Sequence, residues 1–205
     1  MMKKVLWTVF GFLSVSIGLY PVIYFLQDDR RFGLLGSKSE ALLGNALWNT
    51  GFYTHIIFGG LALLIGWTQF SPRLRRINLL MHRSVGKVYV VAALLSGLAG
   101  IGIGTQATGG WIAMSGFISL GSVWVFTTFS AYRDIRAGRL AEHQKMMTYS
   151  YAACFAAVML RLWLPFLIMY FHDFIPAYRV VAWLCWVPNL LVARWVDGRL
   201  QTVTA

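Results

Sequence analysis

The chain has 205 residues, of which 58% are apolar and 12% are charged, and its mean hydropathy is +0.63. Soluble domains average about 45–50% apolar and about 25% charged residues, so this composition excludes an ordinary soluble domain and favours a membrane protein. The formal net charge of +11 does not indicate nucleic-acid binding, because the basic residues occupy short turns between apolar runs.

The first apolar run covers residues 5–26 and follows the sequence MMKK. A signal peptide also begins in this way, but its apolar region has about 7–15 residues and a small-residue cleavage site follows it. This run is longer and no such site follows it, so we expect a retained helix. Residues 27–51 form one long connection, in which residues 37–48 are expected to form a short surface helix.

Five further apolar runs predict membrane helices at residues 52–70, 88–104, 111–132, 148–170 and 177–193. The third and fifth helices should begin earlier, near Leu79 and Glu142, so that they can cross a hydrocarbon layer of about 30 Å. We therefore predict an all-α, polytopic membrane bundle of about six transmembrane helices. It forms a single integral membrane domain over residues 1–205, with a core bundle at about 52–170 and peripheral first and last helices.

The distribution of lysine and arginine predicts the orientation. One side of the predicted membrane carries Lys3, Lys4, Arg73, Arg75, Arg76, Arg83, Lys87, Arg133, Arg136, Arg139, Lys145, Arg194 and Arg199. The other side carries Arg30, Arg31, Lys38 and Arg179, while Arg161 lies within a span. Because cytoplasmic loops carry the excess of positive charge, we expect both termini in the cytoplasm.

Small residues at four-residue spacing mark faces on which helices can approach closely. The third helix carries Ser96, Gly100 and Gly104, and the fifth carries Ala153 and Ala157. Patterns of this kind bring neighbouring backbones together in membrane bundles. We expect both helices to be central.

Two histidines, His82 and His143, begin parallel helices at about the same predicted depth. Such a pair can hold a b-type haem between two axial nitrogens, bind a metal ion or pass protons, and the surroundings suit haem best. The remaining predicted cofactor-binding residues, which pair with haem propionates or line the pocket, are Arg83, Gly86, Tyr89, Lys145 and Met147. The alternative is an interfacial or structural role for each histidine. The two cysteines lie inside spans and form no CxxC site.

A second, outer polar site is predicted from His55 and Arg161. His55 and Gly59 form an HxxxG pattern like that of His82 and Gly86, and a glycine on the same helix face would let a wide planar group approach the backbone. The Arg161 side chain either reaches outward to the headgroups or faces the bundle interior. His172 follows the fifth span, where a solvated loop histidine is expected.

Four segments carry a resemblance to a known family. They are HIIFGGLALLIGWTQF at His55, MHRSVGKVYV at His82, EHQKMMTYSYA at His143 and MLRLWLP around Arg161. Together they resemble an uncharacterised bacterial multi-pass membrane family, domain of unknown function 2306, over about residues 52–165. The resemblance implies a bundle in the bacterial inner membrane and groups Gln69 with the residues above. The sequence is also distantly similar to four-helix haem-b membrane cytochromes, from which it departs because its histidines lie at helix mouths.

Three functions follow as hypotheses. The first is a haem-b electron-transfer protein with His82 and His143 as axial ligands. A quinol or a redox partner protein would supply its electrons. The second is a proton- or anion-linked transporter that uses Arg161 and the histidines. The third is an accessory membrane protein without catalysis. Whether the chain is an enzyme stays open, since the sequence contains no HExxH, P-loop or GxSxG motif.

Overall fold

The computed structural model describes residues 2–27 and 33–204, with the side chains of residues 4–27 and 33–198. The described chain is helical and contains no strand. Six of its helical segments are long and apolar enough to cross a membrane: Lys4–Leu26, Ala46–Phe70, Leu79–Gly104, Trp111–Arg136, Leu140–Phe171 and Phe174–Gly198. The predicted all-α fold with about six transmembrane helices is therefore confirmed. Arg30 and Arg31, which the orientation prediction used, lie outside the described residues.

The chain divides into two compact units, Met1–Ile103 and Gly104–Ala205. Each unit contains three of the six spans. In the first unit, the opening span consists of α1 (Met2–Leu19), a 3-10 turn (Tyr20–Val22) and α2 (Ile23–Leu26). Pro21 accounts for the 3-10 turn, because proline has no amide hydrogen to continue the α-helical bonding.

The connection after the first span differs from the predicted surface helix at residues 37–48. It contains a 3-10 helix (Gly33–Ser37) and α3 (Glu40–Leu43), and α4 (Ala46–Gly66) then begins the second span six residues earlier than the predicted residue 52. The prediction was wrong because two caps divide the segment. The Ser39 hydroxyl accepts a hydrogen bond from the Leu42 amide, and the Asn45 side chain accepts one from the Trp48 amide.

This connection packs on the end of the second span. Leu35, Trp48 and Phe52 form a buried apolar cluster, in which the Trp48 and Phe52 rings stack with centroids 5.3 Å apart. Lys38 is 8% exposed, and its ammonium lies 6.0 Å from the centre of the Trp48 ring. Burial lowers the pKa of the Lys38 ammonium below its ordinary value.

The first and second spans cross at two glycines. A Cβ atom on Gly18 would lie 3.0 Å from the Gly60 carbonyl oxygen, and one on Gly60 would lie 2.6 Å from the Gly18 carbonyl oxygen. Only glycine leaves room for backbones this close. The small-residue spacing on the third and fifth helices did not predict this pair.

Short elements lead from the second span to the third. The second span ends in a 3-10 helix (Trp67–Phe70), α5 (Pro72–Ile77) lies between the spans, and α6 (Leu79–Gly104) is the third span. The predicted start near Leu79 is confirmed. The Asn78 side chain accepts a hydrogen bond from the Met81 amide at 2.8 Å and thereby caps α6.

The second unit is built on α7 (Trp111–Arg136) and α8 (Leu140–Cys154). The hydroxyls of Thr128 and Ser150 are fully buried and lie 2.6 Å apart, so they join the two helices by a hydrogen bond. Such a bond between membrane helices contributes about 0.6–2 kcal/mol. The fifth span begins two residues before the predicted Glu142.

Both remaining spans are interrupted. The fifth consists of α8 and α9 (Ala156–Phe171), which meet at Phe155, and the sixth consists of α10 (Phe174–Leu184) and α11 (Val187–Thr204). The predicted sixth span at residues 177–193 is confirmed, and it extends a few residues further at both ends, over Phe174–Gly198. Pro188 has no amide hydrogen for the carbonyl four residues earlier, so the α-helical bonding cannot run unbroken through this segment.

Replacing Lys38 with methionine should remove a pH-dependent loss of stability. Because the folded state lowers the pKa of Lys38, it binds this proton less readily than the unfolded state does. The penalty is complete at neutral pH and falls as the pH rises toward the ordinary lysine value of 10.5. We expect Lys38→Met to have the higher Tm at neutral pH, and the difference in Tm between the two proteins in detergent to decrease as the pH rises toward 10.5. Parallel pH profiles of the two proteins would contradict the assignment.

Candidate functional site

His143 is held by a backbone contact within the second unit. It lies in the first turn of α8, is half-buried, and its Nδ1 atom is 2.8 Å from the carbonyl oxygen of Ala131 on α7. A carbonyl oxygen only accepts hydrogen bonds, so Nδ1 is the donor, and in the neutral form of the ring Nε2 has the lone pair. The contact therefore fixes both the orientation and the tautomer of the ring.

A tight turn between α7 and α8 creates this contact. Gly138 adopts φ +75°, a conformation that glycine reaches without strain. Asp134, which is 4% exposed, accepts hydrogen bonds from Nε and Nη2 of Arg139 at 3.2 and 2.5 Å. The ion pair stabilises the turn and neutralises a buried carboxylate. The sequence analysis treated Arg139 only as a topological charge and gave Asp134 no role.

His82 occupies the first turn of α6, in the first unit, and is half-buried. Its amide donates to the Asn78 carbonyl at 3.1 Å, so the Asn78 cap sets its place in the helix. On the same helix Arg83 is exposed and Tyr89 is fully buried. A Cβ atom on Gly86 would lie 3.4 Å from Oε1 of Gln69, so this unit brings together two of the residues that the family resemblance grouped.

His55 takes part in a reciprocal contact between α4 and α6. Its Nδ1 donates to the Ser96 carbonyl at 2.9 Å, while the Ser96 hydroxyl donates to the His55 carbonyl at 2.8 Å. A Cβ atom would lie 2.8 Å from His55 Nδ1 if placed on Gly100, and 2.9 Å from Ser96 Oγ if placed on Gly59. The expectation that Gly59 admits a wide planar group was wrong, because the Ser96 side chain occupies that space.

Arg161 lies in α9, and its guanidinium donates to the Ala157 carbonyl at 2.8 Å. Ala157 is one turn nearer the middle of the Leu140–Phe171 span. The side chain therefore points along its own helix toward the centre of the span, as helical side chains generally lean toward the N-terminus. Of the two predicted orientations, this contact favours the one that does not reach outward to the headgroups.

Asn189 links the two interrupted spans. Its side-chain amide donates to the carbonyl of Ala152, in the last turn of α8, at 3.2 Å and to the carbonyl of Cys185, which follows α10, at 3.0 Å. Helix ends leave carbonyls without intrahelical partners, and in lipid such groups need a protein donor.

The other candidate residues have ordinary surroundings. Lys145 Nζ lies 3.7 Å from an Asp197 oxygen, and Met147 is half-buried on α8. His172 is exposed and ends α9 with φ 53°, the left-handed conformation that commonly ends a helix. His82 and His143 belong to different units, as do His55 and Arg161, so the proposed pairings stay predictions from the sequence.

Comparison with known proteins gives one family. A family model described as Predicted membrane protein (DUF2306) matches residues 52–196. The match extends past the predicted limit at residue 165 and contains every candidate residue named above. No curated protein and no solved structure matches the chain.

Replacing Gly100 with alanine should destabilise the protein through a clash with His55. The added methyl group would lie 2.8 Å from Nδ1, and overpacking of this kind costs about 1–3 kcal/mol. Gly102→Ala is the matched control on the same helix, because nothing lies within 4 Å of its Cβ position; it should be neutral or stabilising by up to about 1 kcal/mol. Thermal unfolding in detergent measures both.

A second comparison identifies the cause. In a His55→Ala background the cost of Gly100→Ala should fall, because the ring that meets the methyl group is gone. An equal cost in both backgrounds would show that the effect arises elsewhere.

Proposed function

The chain belongs to the DUF2306 family of predicted membrane proteins, and we propose that it is a haem-b-binding electron-transfer protein of the bacterial inner membrane. His143 is one axial ligand in this proposal and His82 the other. Family membership does not itself assign an activity. The proposal is supported by the chemistry of His143 and by the predicted topology, in which both histidines begin helices on the cytoplasmic side.

The observation that carries the proposal is the hydrogen bond from Nδ1 of His143 to the Ala131 carbonyl at 2.8 Å. A metal-ligating histidine almost always donates its other ring N–H to a carbonyl or carboxylate, which orients the ring and raises its basicity. His143 already has this arrangement. Its Nε2 lone pair is the one that would bind iron.

The number of available ligands suits haem. Among the described residues, no three His, Cys, Asp or Glu side chains are grouped so that they could hold a metal ion by themselves. A haem iron has four porphyrin nitrogens and takes only two axial ligands from the protein. His82 is the second ligand on sequence grounds alone.

The cationic side chains near each histidine would form ion pairs with the haem propionates. Arg83 follows His82 and is exposed, and Lys145 lies two residues after His143. The 3.7 Å ion pair between Lys145 and Asp197 involves partly exposed groups, and such pairs are weak. Lys145 can therefore exchange Asp197 for a propionate. Gly86, Tyr89 and Met147 remain cofactor-binding predictions from the sequence.

A bound haem supplies one-electron redox chemistry. The imidazoles of His82 and His143 would hold the iron, and Arg83 and Lys145 would neutralise the propionates. We assign the electron source to a quinol dissolved in the bilayer or to a redox partner protein.

Each axial histidine should be necessary for the haem spectrum. The full chain, purified in mild detergent from cells given a haem precursor, should show a Soret band and reduced α and β bands. His82→Ala and His143→Ala should each lose them, because an axial nitrogen is removed. Added imidazole should restore the bands in His143→Ala, a result that a merely structural histidine would not give.

His172→Ala is the matched control and should keep the bands, because His172 is exposed at the end of α9. Helix content and elution in size-exclusion chromatography should be measured for each variant. Folded wild-type protein without a Soret band would rule out haem binding.

A second function, anion-linked transport, is favoured by the position of Arg161 inside the fifth span. An arginine within a span is a functional-site candidate by default. Asn189 stabilises both interruptions through the carbonyls of Ala152 and Cys185.

The transport hypothesis predicts a ligand-dependent thermal shift. Sulfate, phosphate and small carboxylates should be tested singly, and the anion that binds should raise the Tm of the wild type and not that of Arg161→Gln. Arg179→Gln is the matched control, because Arg179 is exposed and donates to the Gly109 carbonyl outside the span interior. The same shift in all three proteins would exclude an Arg161 site.

A further inference from the structure

We propose that an open cleft in the second unit binds the headgroup of a quinone or quinol, an inference that rests on the proposed electron-transfer function. The cleft has a volume of about 380 Å³ and lies where α7 and α8 meet. Small-molecule sites generally have volumes of about 300–1,000 Å³. The cleft is therefore large enough for one ring with its substituents.

The α7 wall of the cleft changes from apolar to charged along the helix. Phe126, Ser130 and Asp134 line it at four-residue spacing, so they share one face of α7. Phe126 and Asp134 are separated by about 12 Å along the helix axis. Phe126 is 66% exposed and lies within the span, so it faces lipid, whereas Asp134 lies near the end of the helix. The ligand is therefore amphipathic, with its apolar part beside Phe126.

The charges of the cleft balance. Asp134 is paired with Arg139 and lies 3.7 Å from Nε of Arg133, and Glu142 is a further acid in the lining. Two carboxylates thus face two guanidinium groups. An anionic phospholipid headgroup would meet no net positive charge, so the lining favours an uncharged polar headgroup.

A quinone headgroup fits this lining in both redox states. Its carbonyl oxygens accept hydrogen bonds, which the Ser130 hydroxyl and the Arg139 guanidinium can donate. The hydroxyls of a quinol donate, and the exposed carboxylate of Glu142 can accept. Met146, also in the lining, offers a polarisable contact for the ring.

The cleft adjoins the proposed haem ligand through the backbone. Ser130 precedes Ala131, whose carbonyl holds the His143 ring, and Glu142 precedes His143. A headgroup in the cleft would therefore lie beside the elements that orient His143.

The test is a titration of the full chain in detergent with a short-chain benzoquinone and, separately, with its quinol. Quenching of tryptophan fluorescence measures the binding. Ser130→Leu removes a donor and puts a larger side chain at a buried position of the lining, and it should weaken binding of both forms. Glu142→Gln should weaken quinol more than quinone, by about tenfold, because a charged acceptor is lost. Ser122→Leu is the matched control, since Ser122 is exposed on α7 outside the lining, and it should bind like the wild type.

Three outcomes would overturn the assignment: no binding of either form to folded protein, equal binding by all variants, or displacement of the quinone by phosphatidylglycerol but not by phosphatidylcholine. Glu142 is exposed, so its variant remains informative if Ser130→Leu fails to fold. Repeating the titration with His143→Ala separates the two proposals. Quinone binding without a Soret band would refute only haem, and a Soret band without quinone binding would refute only the cleft.

Discussion

Every backbone polar group that lies in lipid must find its partner within the protein, and most of this structure follows from that constraint. It explains why the described chain is helical. It also explains why carbonyls at the turns within spans accept hydrogen bonds from side chains. Where the fifth and sixth spans are interrupted, the Asn189 amide bonds to the carbonyls of Ala152 and Cys185. The Arg161 guanidinium likewise donates a hydrogen bond to the Ala157 carbonyl. An intramembrane charge is thus accommodated by backbone oxygen, whose partial negative charge replaces water.

Polar side chains and glycines together determine how the spans of each unit pack. With little hydrophobic gain between helices in lipid, association depends on close van der Waals contact and on hydrogen bonds. In the first unit, Gly18 and Gly60 permit one close crossing, and the His55–Ser96 pair fits against Gly59 and Gly100 at another. In the second unit the buried Thr128–Ser150 bond has the same role. His55 is therefore a packing residue of the first unit.

The start of α8 combines the features that matter most for function. One turn, made possible by Gly138 and stabilised by Asp134 and Arg139, places His143 against the Ala131 carbonyl and opens a cleft beside it. The haem proposal and the quinone proposal both depend on this geometry, but on different atoms of it. The first needs Nε2 of His143, and the second needs the polar groups of α7 and the turn.

The sequence by itself determined the membrane class, the six apolar spans and the residues worth testing, because span length and apolar composition are local properties that lipid thickness constrains directly. It also placed His143 at a helix start and recognised the family. Only the tertiary structure decided that Gly59 receives the Ser96 hydroxyl, that Asn189 serves two carbonyls and that Asp134 lines a cleft. These facts depend on which groups meet across different helices, and the apolar pattern of a single span does not specify its rotation or its partner.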